Sequence, residues 1–572
     1  MITVQAHETD VVVVGGGGAA LRAALEAGRT GARVLLVTKG RLGATGATSF
    51  GVASLAGFAV ADGAGDPLDN PDVHVEDILR NGAGCADQTL VRILAEEAHL
   101  AAAALESWGV EFIRDAQGKV LVAMGDFASR PRNRKIYGHG RPIVLALKDA
   151  CAAAGVEVME NTVVLDLVRE EAGCQGLLAM DLNGTLHAVA AGAVILGTGG
   201  AGQLFEYSLM PPDVTGDGYA LGYRAGAELA NLEFMQAGFG LIHPFTNIIM
   251  AWFWLLAPMF TNRLGEECLD RYLPPGLEKE ACFRAKVRHY PFSIQDPSRF
   301  LEIAAKREIE AGRGTERGGV FLDLRQVNEA ERIPPGSDIA TMWPVSKEWF
   351  KSKGIDVMSR PLEIAVFGHA INGGLRIDAD AQSSVSGLYA AGETSAGPYG
   401  ADRLGGNMLL NCQVFGARAG RHAGQTAPGK RPQISEGRRR DFAAQVGSFL
   451  GRPGIRKVAE VKREIKSAMS RHVLVIRTGP GLEACLTRLQ AIREELLPAI
   501  GVGTPKDLVG LHETMNLLEV GELMARVALM RTESRGSHFR EDFPERNDEE
   551  WACPIFIRRD GGKPGLSKGR FA

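Results

Sequence analysis

The sequence predicts an α/β protein in three parts: a domain with a parallel sheet gathered from separate stretches of chain, an α+β capping domain inserted within it, and a helical C-terminal domain. Three observations carry this. A strand, a glycine turn, a helix and a second strand open the chain in "TDVVVVGGGGAALRAALEAGRTGARVLLVTKG". Two further strands run into glycines far downstream, in "AAGAVILGTGGAGQLF" and "VSGLYAAGETSAGPYGADRLGGN". The stretch from "RRRDFAAQVGSFLGR" to "LLEVGELMARVALMRTESRG" places helix formers at the helical period.

The opening unit decides the class. Val11 to Val14 is an apolar, β-branched run, and Gly15-x-Gly17-x-x-Ala20 follows it. Gly15 permits the turn, Gly17 admits a pyrophosphate against the backbone, and Ala20 lets helix and strand pack closely. The helix N-terminus then offers oriented N–H donors to a diphosphate. This is a Rossmann-type dinucleotide site. Its second strand ends in Thr38-Lys39, where many such folds carry an acid for the ribose. The three strand-to-glycine junctions are spread widely, so the domain is discontinuous, as suits FAD, which spans more protein than the adenine half of a nicotinamide cofactor. The division expected is 1–240 and 357–425 for the FAD-binding domain, 241–356 for the cap, and 430–572 for the C-terminal helical domain and tail.

With 64 Lys plus Arg against 68 Asp plus Glu, the net charge of −4 leaves no electrostatic footprint for nucleic acid or an anionic membrane. Eight cysteines lie scattered without a C-x-x-C pair, which argues against an iron–sulfur or zinc site within the chain; no metal is expected. "IIMAWFWLLAPMF", Ile248 to Phe260, is too short for a membrane span and contains Pro258, so it reads as buried core or an apolar pocket wall. The N-terminus reaches a strand without the basic and apolar regions of a signal peptide, and a reducing cytoplasm is the expected location.

Further segments, "TGDGYALGYRAGAEL", "TNRLGEECLDRY", "GHAINGGL", "GADRLGGNMLL" and "RTESRGSHFREDFPERND", occur in an order along the chain that resembles the flavoprotein subunits of succinate dehydrogenase and fumarate reductase, with L-aspartate oxidase and the adenylylsulfate reductase flavoprotein. The resemblance accounts for Thr38-Lys39, since Ser/Thr-Lys is usual there. It implies FAD contacts from Gly15, Gly17, Thr38, Lys39, the loop Thr45, Thr48 and Ser49, then Gly199, Asp217, Glu393, Arg403 and the backbone of Asn407, Met408 and Leu409. Glu393 suits the ribityl hydroxyls, and the helix after Gly406 aims its dipole at the flavin's electron-rich edge. Asp217 reads equally as an ordinary turn or N-cap residue.

Departures from the family are as informative. Relatives with covalent flavin have a histidine about where Ala47 stands, so non-covalent FAD is expected. Counting nine residues back from Gly312 to the family's proton-relay arginine lands on Ile303; Arg299 and Lys306 share its helix face or stand as solvated charges. His243-Pro244 is kept, but the family's Thr-Glu pair is replaced by a run containing Trp252, Phe253 and Trp254, which looks closest to the adenylylsulfate reductase branch and implies a more apolar pocket.

Four candidate catalytic residues result: His369, Arg403, His243 and Tyr399. Arg403 either grips a substrate carboxylate with its guanidinium fork or pairs with Asp402 or Glu393; His369 either donates to a second acidic oxygen or is a satisfied core histidine. Tyr399 stands where many relatives have histidine, and His139, in a glycine-flanked loop, faces either the pocket or solvent. The expected activity is FAD-dependent hydride transfer with a small acidic, carboxylate substrate, electrons passing through a separate iron–sulfur or ferredoxin-like protein. Adenylylsulfate reduction, an aspartate-oxidase-type reaction, and an electron-transfer subunit with a vestigial pocket are the alternatives.

Overall fold

The computed structural model describes residues 3–50 and 55–571. Its central sheet runs in the order Glu157–Met159, Val34–Val37, Val4–Val14, Leu186–Leu196, Gly173–Asp181, Thr162–Glu170, with Leu388–Ala390 also pairing with Leu186–Leu196. The Val4–Val14 strand pairs in parallel on both sides, with Val34–Val37 and Leu186–Leu196. Such strands are covered on both faces, which is why Val11 to Val14 form an unbroken apolar run and are all buried. A further parallel strand, Leu388–Ala390, comes from the distant glycine junction, so the sheet is assembled from separate stretches, as expected.

The helices Gly18–Arg29 and Asn407–Thr426 lie on this sheet at close range. Gly416, Gly420 and Gly424 make that approach possible: at a spacing of four they share one helix face, and a Cβ at Gly420 would come within 2.2 Å of the Ala23 carbonyl. The helix beginning at Asn407 is thereby held with its N-terminus beside that of the first helix, at the carboxyl ends of the strands, where ligands of open α/β sheets bind.

A second sheet orders Asn247–Ile248, Met235–His243, Leu362–Ile371, Val320–Asp323 and Met259–Thr261. It draws strands from both sides of the expected cap boundaries, because Met235–His243 and Leu362–Ile371 are antiparallel partners. The aromatic run forms the short helix Ala251–Leu256 beneath it. Phe253 and Trp254 are buried against Phe239, Phe260, Phe283, Trp343 and Phe350, and Trp252 donates to Ser346. Of the two readings of this segment, core is the one realised for Phe253 and Trp254, and only Ile248 and Met250 reach the cavity described below.

The C-terminal part is helical through Pro505–Met530 and then returns as the hairpin Ile555–Asp560 and Lys563–Lys568, which pairs with Leu229–Ala230. The segment "RTESRGSHFREDF" secures that return: Arg531 pairs with Glu233 at 2.8 Å and Arg535 with Glu533 at 2.6 Å, all four fully buried. Among the described residues no helix is long and apolar enough to cross a membrane.

Candidate active site

One long cavity runs from the glycine turn of the first strand to the cap sheet, lined by Gly15 to Ala19, Thr38, Lys39, Thr45, Ala47, Thr48, Gly199, Asp217, Glu393, Arg403, Met408 and Leu409, among others. At its first end the two glycines of the fingerprint differ in kind. Gly15, at φ +125°, has no room for a side chain, since a Cβ would lie 2.3 Å from the Gly197 carbonyl. Gly17, at φ −88°, is in an ordinary conformation, and a Cβ there would meet nothing closer than the Thr48 hydroxyl at 3.5 Å. The protein's own packing does not demand glycine at 17. A diphosphate laid on the first helix N-terminus would, so these residues fit FAD. Ala20 is buried under this turn, where a Cβ at Gly197 would strike its backbone.

The acid missing after the second strand is replaced by an ion cluster. Lys39 Nζ donates to Thr215 at 2.7 Å, to Asp217 at 2.8 Å and to Glu513 at 3.0 Å. Burial disfavours its charge, but Asp217 and Glu513 win and hold its pKa above the usual lysine value. Asp217, also bonded by Thr215 and Asn516, is pulled down to about 2 against the burial that would raise it. Asp217 lines the cavity, yet both its oxygens serve this cluster, and it follows the N-cap Gly216 instead of capping the helix itself.

Further along, Glu393 accepts from the Ile371 N–H at 3.0 Å, and burial pushes its carboxyl up to about 7. The helix Asn407–Thr426 opens onto the cavity through Gly405, Gly406, Met408 and Leu409. Asn407 itself is fully buried behind the wall, its side chain bonded to His74 at 3.0 Å. Ser49 does not line the cavity, and its hydroxyl is buried without a partner.

At the cap end Arg403, 7 % exposed, has no carboxylate partner among the described residues, and its Nε is buried without a hydrogen bond. Asp402 turns the other way, accepting from Ser293 at 2.6 Å and Gln295 at 2.9 Å, and Glu393 is not within ion-pairing distance. Gln236 fixes the arginine's backbone by donating to its carbonyl at 3.0 Å. His369 faces the same space. It is the extra residue of a β-bulge, since Gln236 pairs with Ala370 and Ala237 with Gly368, and such bulges re-aim a side chain. Its Nδ1 is buried without a partner; burial first, then the Arg403 charge, push its pKa down to about 3, so the ring is neutral.

Two of the four catalytic candidates are not brought to the cavity. His243 is exposed at the end of its strand, beyond a bulge and before the cis Pro244. Tyr399 is fully buried beneath the Asn407–Thr426 helix, where its hydroxyl donates to the Asn407 carbonyl at 3.4 Å. Ile303 is buried in the Arg299–Glu310 helix away from the cavity; Arg299 donates to the Ile294 carbonyl and Lys306 to that of Ser470. Three other groups stand at the site instead, of which the sequence singles out only His139, left open there between pocket and solvent. His139 and Asp126 line the cavity, and Tyr290 packs edge-on against His369 with ring centres 5.8 Å apart.

The FAD binding domain family matches residues 10–255 and 290–409, and the fumarate reductase flavoprotein C-terminal family matches 462–569. The chain belongs to the fumarate reductase flavoprotein family. This flavoprotein is 32% identical to a fumarate reductase (CoM/CoB) subunit of Methanothermobacter marburgensis, with 97% of each chain covered. It is 31% identical to an L-aspartate oxidase of Streptomyces coelicolor over 96% of this chain and 91% of that one. Its fold superposes on Mycobacterium smegmatis Sdh1 in complex with UQ1 with a TM-score of 0.84 at 29% identity, covering 99% and 94% of the two chains. The flavoprotein is therefore an FAD-dependent oxidoreductase of the succinate dehydrogenase and fumarate reductase type.

Proposed function

We propose that this flavoprotein transfers a hydride between FAD and a substrate with a single carboxylate beside an apolar remainder. The observation that carries the reading is Arg403: a buried guanidinium in a cofactor cavity with no carboxylate partner among the described residues. An unpaired buried charge is costly, so the site is built for an anion that arrives with the substrate. Arg403 binds that carboxylate as a fork, and neutral His369 donates to a second oxygen. Leu209, Met210, Ile248 and Met250 supply the apolar wall. Bound FAD gives or accepts the hydride. The cap-sheet strands carrying Gln236 and His369 orient the substrate and exclude water.

FAD is held without a covalent bond in this reading, since Ala47 lines the cavity where a tethering histidine would be needed. Acid precipitation should release all the flavin, and flavin on the denatured chain in an intact-mass spectrum would refute this. Electrons pass through a separate iron–sulfur or ferredoxin-like protein, and the chain works in the cytoplasm. The reaction itself is tested by anaerobic bleaching of bound FAD with a panel of saturated mono- and dicarboxylates, and by reoxidation of the dithionite-reduced protein with their unsaturated counterparts. Monocarboxylates should outperform dicarboxylates; failure of every carboxylate to change the flavin spectrum would exclude the proposal.

A further inference from the structure

We propose that His139 is the proton donor and acceptor of this site, a role that rests on the carboxylate reading above. His139 lines the cavity from the loop before the Arg141–Ala153 helix. The loop is shaped to put it there. His139 has φ +62°, a left-handed conformation uncommon for a side-chain-bearing residue, between Gly138 at φ +80° and Gly140. A Cβ at Gly140 would lie 2.5 Å from the Thr48 carbonyl, so the turn is pressed against the loop that lines the FAD cavity. The imidazole lies against the Thr48 backbone, and its Nδ1 is buried without a hydrogen-bond partner.

Most of the remaining protonatable groups on the cavity wall already hold hydrogen bonds. Lys39, Asp213 and Asp217 are engaged at the far end, Asp213 by the Gly46 N–H at 2.9 Å. Glu393 accepts from Ile371, Asp126 accepts from the Tyr290 N–H at 2.6 Å, and burial pushes the Cys412 thiol up to about 12. Of the two histidines, His369 carries the stronger penalty on its charged form because it faces Arg403 and His139 as well as being buried. His139 is lowered by burial alone, without the Arg403 charge that acts on His369, so a proton is placed on its ring at less cost beside a bound carboxylate. The titratable group that feels its charge across the cavity is His369.

In the reductive direction the carbon–carbon π bond of an α,β-unsaturated carboxylate opens. One carbon gains the hydride that FAD supplies in the proposed reaction. The π electron pair forms a C–H bond to the proton on the His139 ring, whose N–H bond breaks, and solvent re-protonates the imidazole. The oxidative direction runs the same transfers in reverse.

The test uses FAD-loaded protein and two variants, His139→Asn, because Asn also tolerates the left-handed region, and His139→Gln; the flavin spectrum reports folding. With FAD oxidised, acetate is titrated in weakly buffered solution with a pH indicator. Wild type should take up about one proton per acetate near neutral pH, whereas both variants should bind acetate without uptake. With dithionite-reduced protein and crotonate, both variants should lose about 100-fold or more in flavin reoxidation rate, together with the histidine limb of the pH profile. Unchanged proton uptake and an unchanged pH profile in the variants would overturn the role of His139. If wild type itself neither binds acetate nor is reoxidised by any carboxylate, the substrate reading has failed and this inference falls with it.

Discussion

Lys39 and Glu513 stand 474 positions apart in the chain, and the ammonium of one donates to the carboxylate of the other at 3.0 Å. The contact joins the end of the second strand to the long C-terminal helix, and Lys462 closes it from the other side, 2.6 Å from Glu513. Through Asp217 the same cluster reaches the cavity wall, so the C-terminal domain buttresses the FAD site from behind.

Lys39→Met should therefore destabilise the whole protein and not only its FAD site. It leaves Asp217 without its cation and Glu513 with Lys462 alone, and breaking such a buried pair costs about 3 kcal/mol. Urea unfolding followed by circular dichroism should show a lower midpoint in the FAD-free protein. A wild-type midpoint in the variant would show that the cluster is screened.

Gly15→Ala and Gly17→Ala should separate folding from cofactor binding. The Cβ at 15 would strike the Gly197 carbonyl in a conformation alanine avoids, so this variant should unfold early or fail to accumulate. The Cβ at 17 has ordinary space, so the FAD-free melting temperature should stay near wild type while FAD binding weakens at least 10-fold. Equal FAD affinity in Gly17→Ala and wild type would mean that the diphosphate does not approach there.

Arg403→Lys should keep FAD and lose carboxylate binding. The fork becomes a point charge, forfeiting at least one charge-assisted hydrogen bond worth about 1.5–3 kcal/mol, which corresponds to roughly 10- to 150-fold in acetate affinity. Titration of the flavin spectrum with acetate measures this directly, and an unchanged affinity would place the carboxylate elsewhere.

What could be read from the sequence follows from range. Gly15, Ala20 and the Val11–Val14 strand declare themselves locally, because a turn and a fully buried strand are short-range demands. Arg403 also stands out, a lone arginine among glycines and small residues. His369's orientation could not be read, since a bulge exists only relative to the partner strand Met235–His243. The same holds for Asp126 and Tyr290, which meet across 164 positions, and for Phe253 and Trp254, whose apolar character suits a cap core as well as a pocket wall.

Acid should weaken the FAD-free fold well above the carboxylate range. His74, His369 and His512 are buried and neutral, their pKa values pushed down to about 3 chiefly by burial, and His538 is lowered too. An unfolded histidine takes up its proton near pH 6.5, so between pH 3 and 6.5 the unfolded chain holds more protons at these four sites. Stability there rises with pH, by up to about 1.4 kcal/mol per pH unit for each. Glu393 and Asp402 oppose this: burial raises both to about 7, so their contribution is fully present below the ordinary carboxylate values and is lost as pH rises to 7. Among the groups with the largest shifts the four histidines outweigh these two carboxyls, and the melting temperature of the FAD-free protein should climb from pH 4.5 to 6.5 and level off above 7. His512→Gln, which removes one of the four, should flatten that climb by part of its slope; a variant with the wild-type slope would mean that His512 is charged in the folded protein.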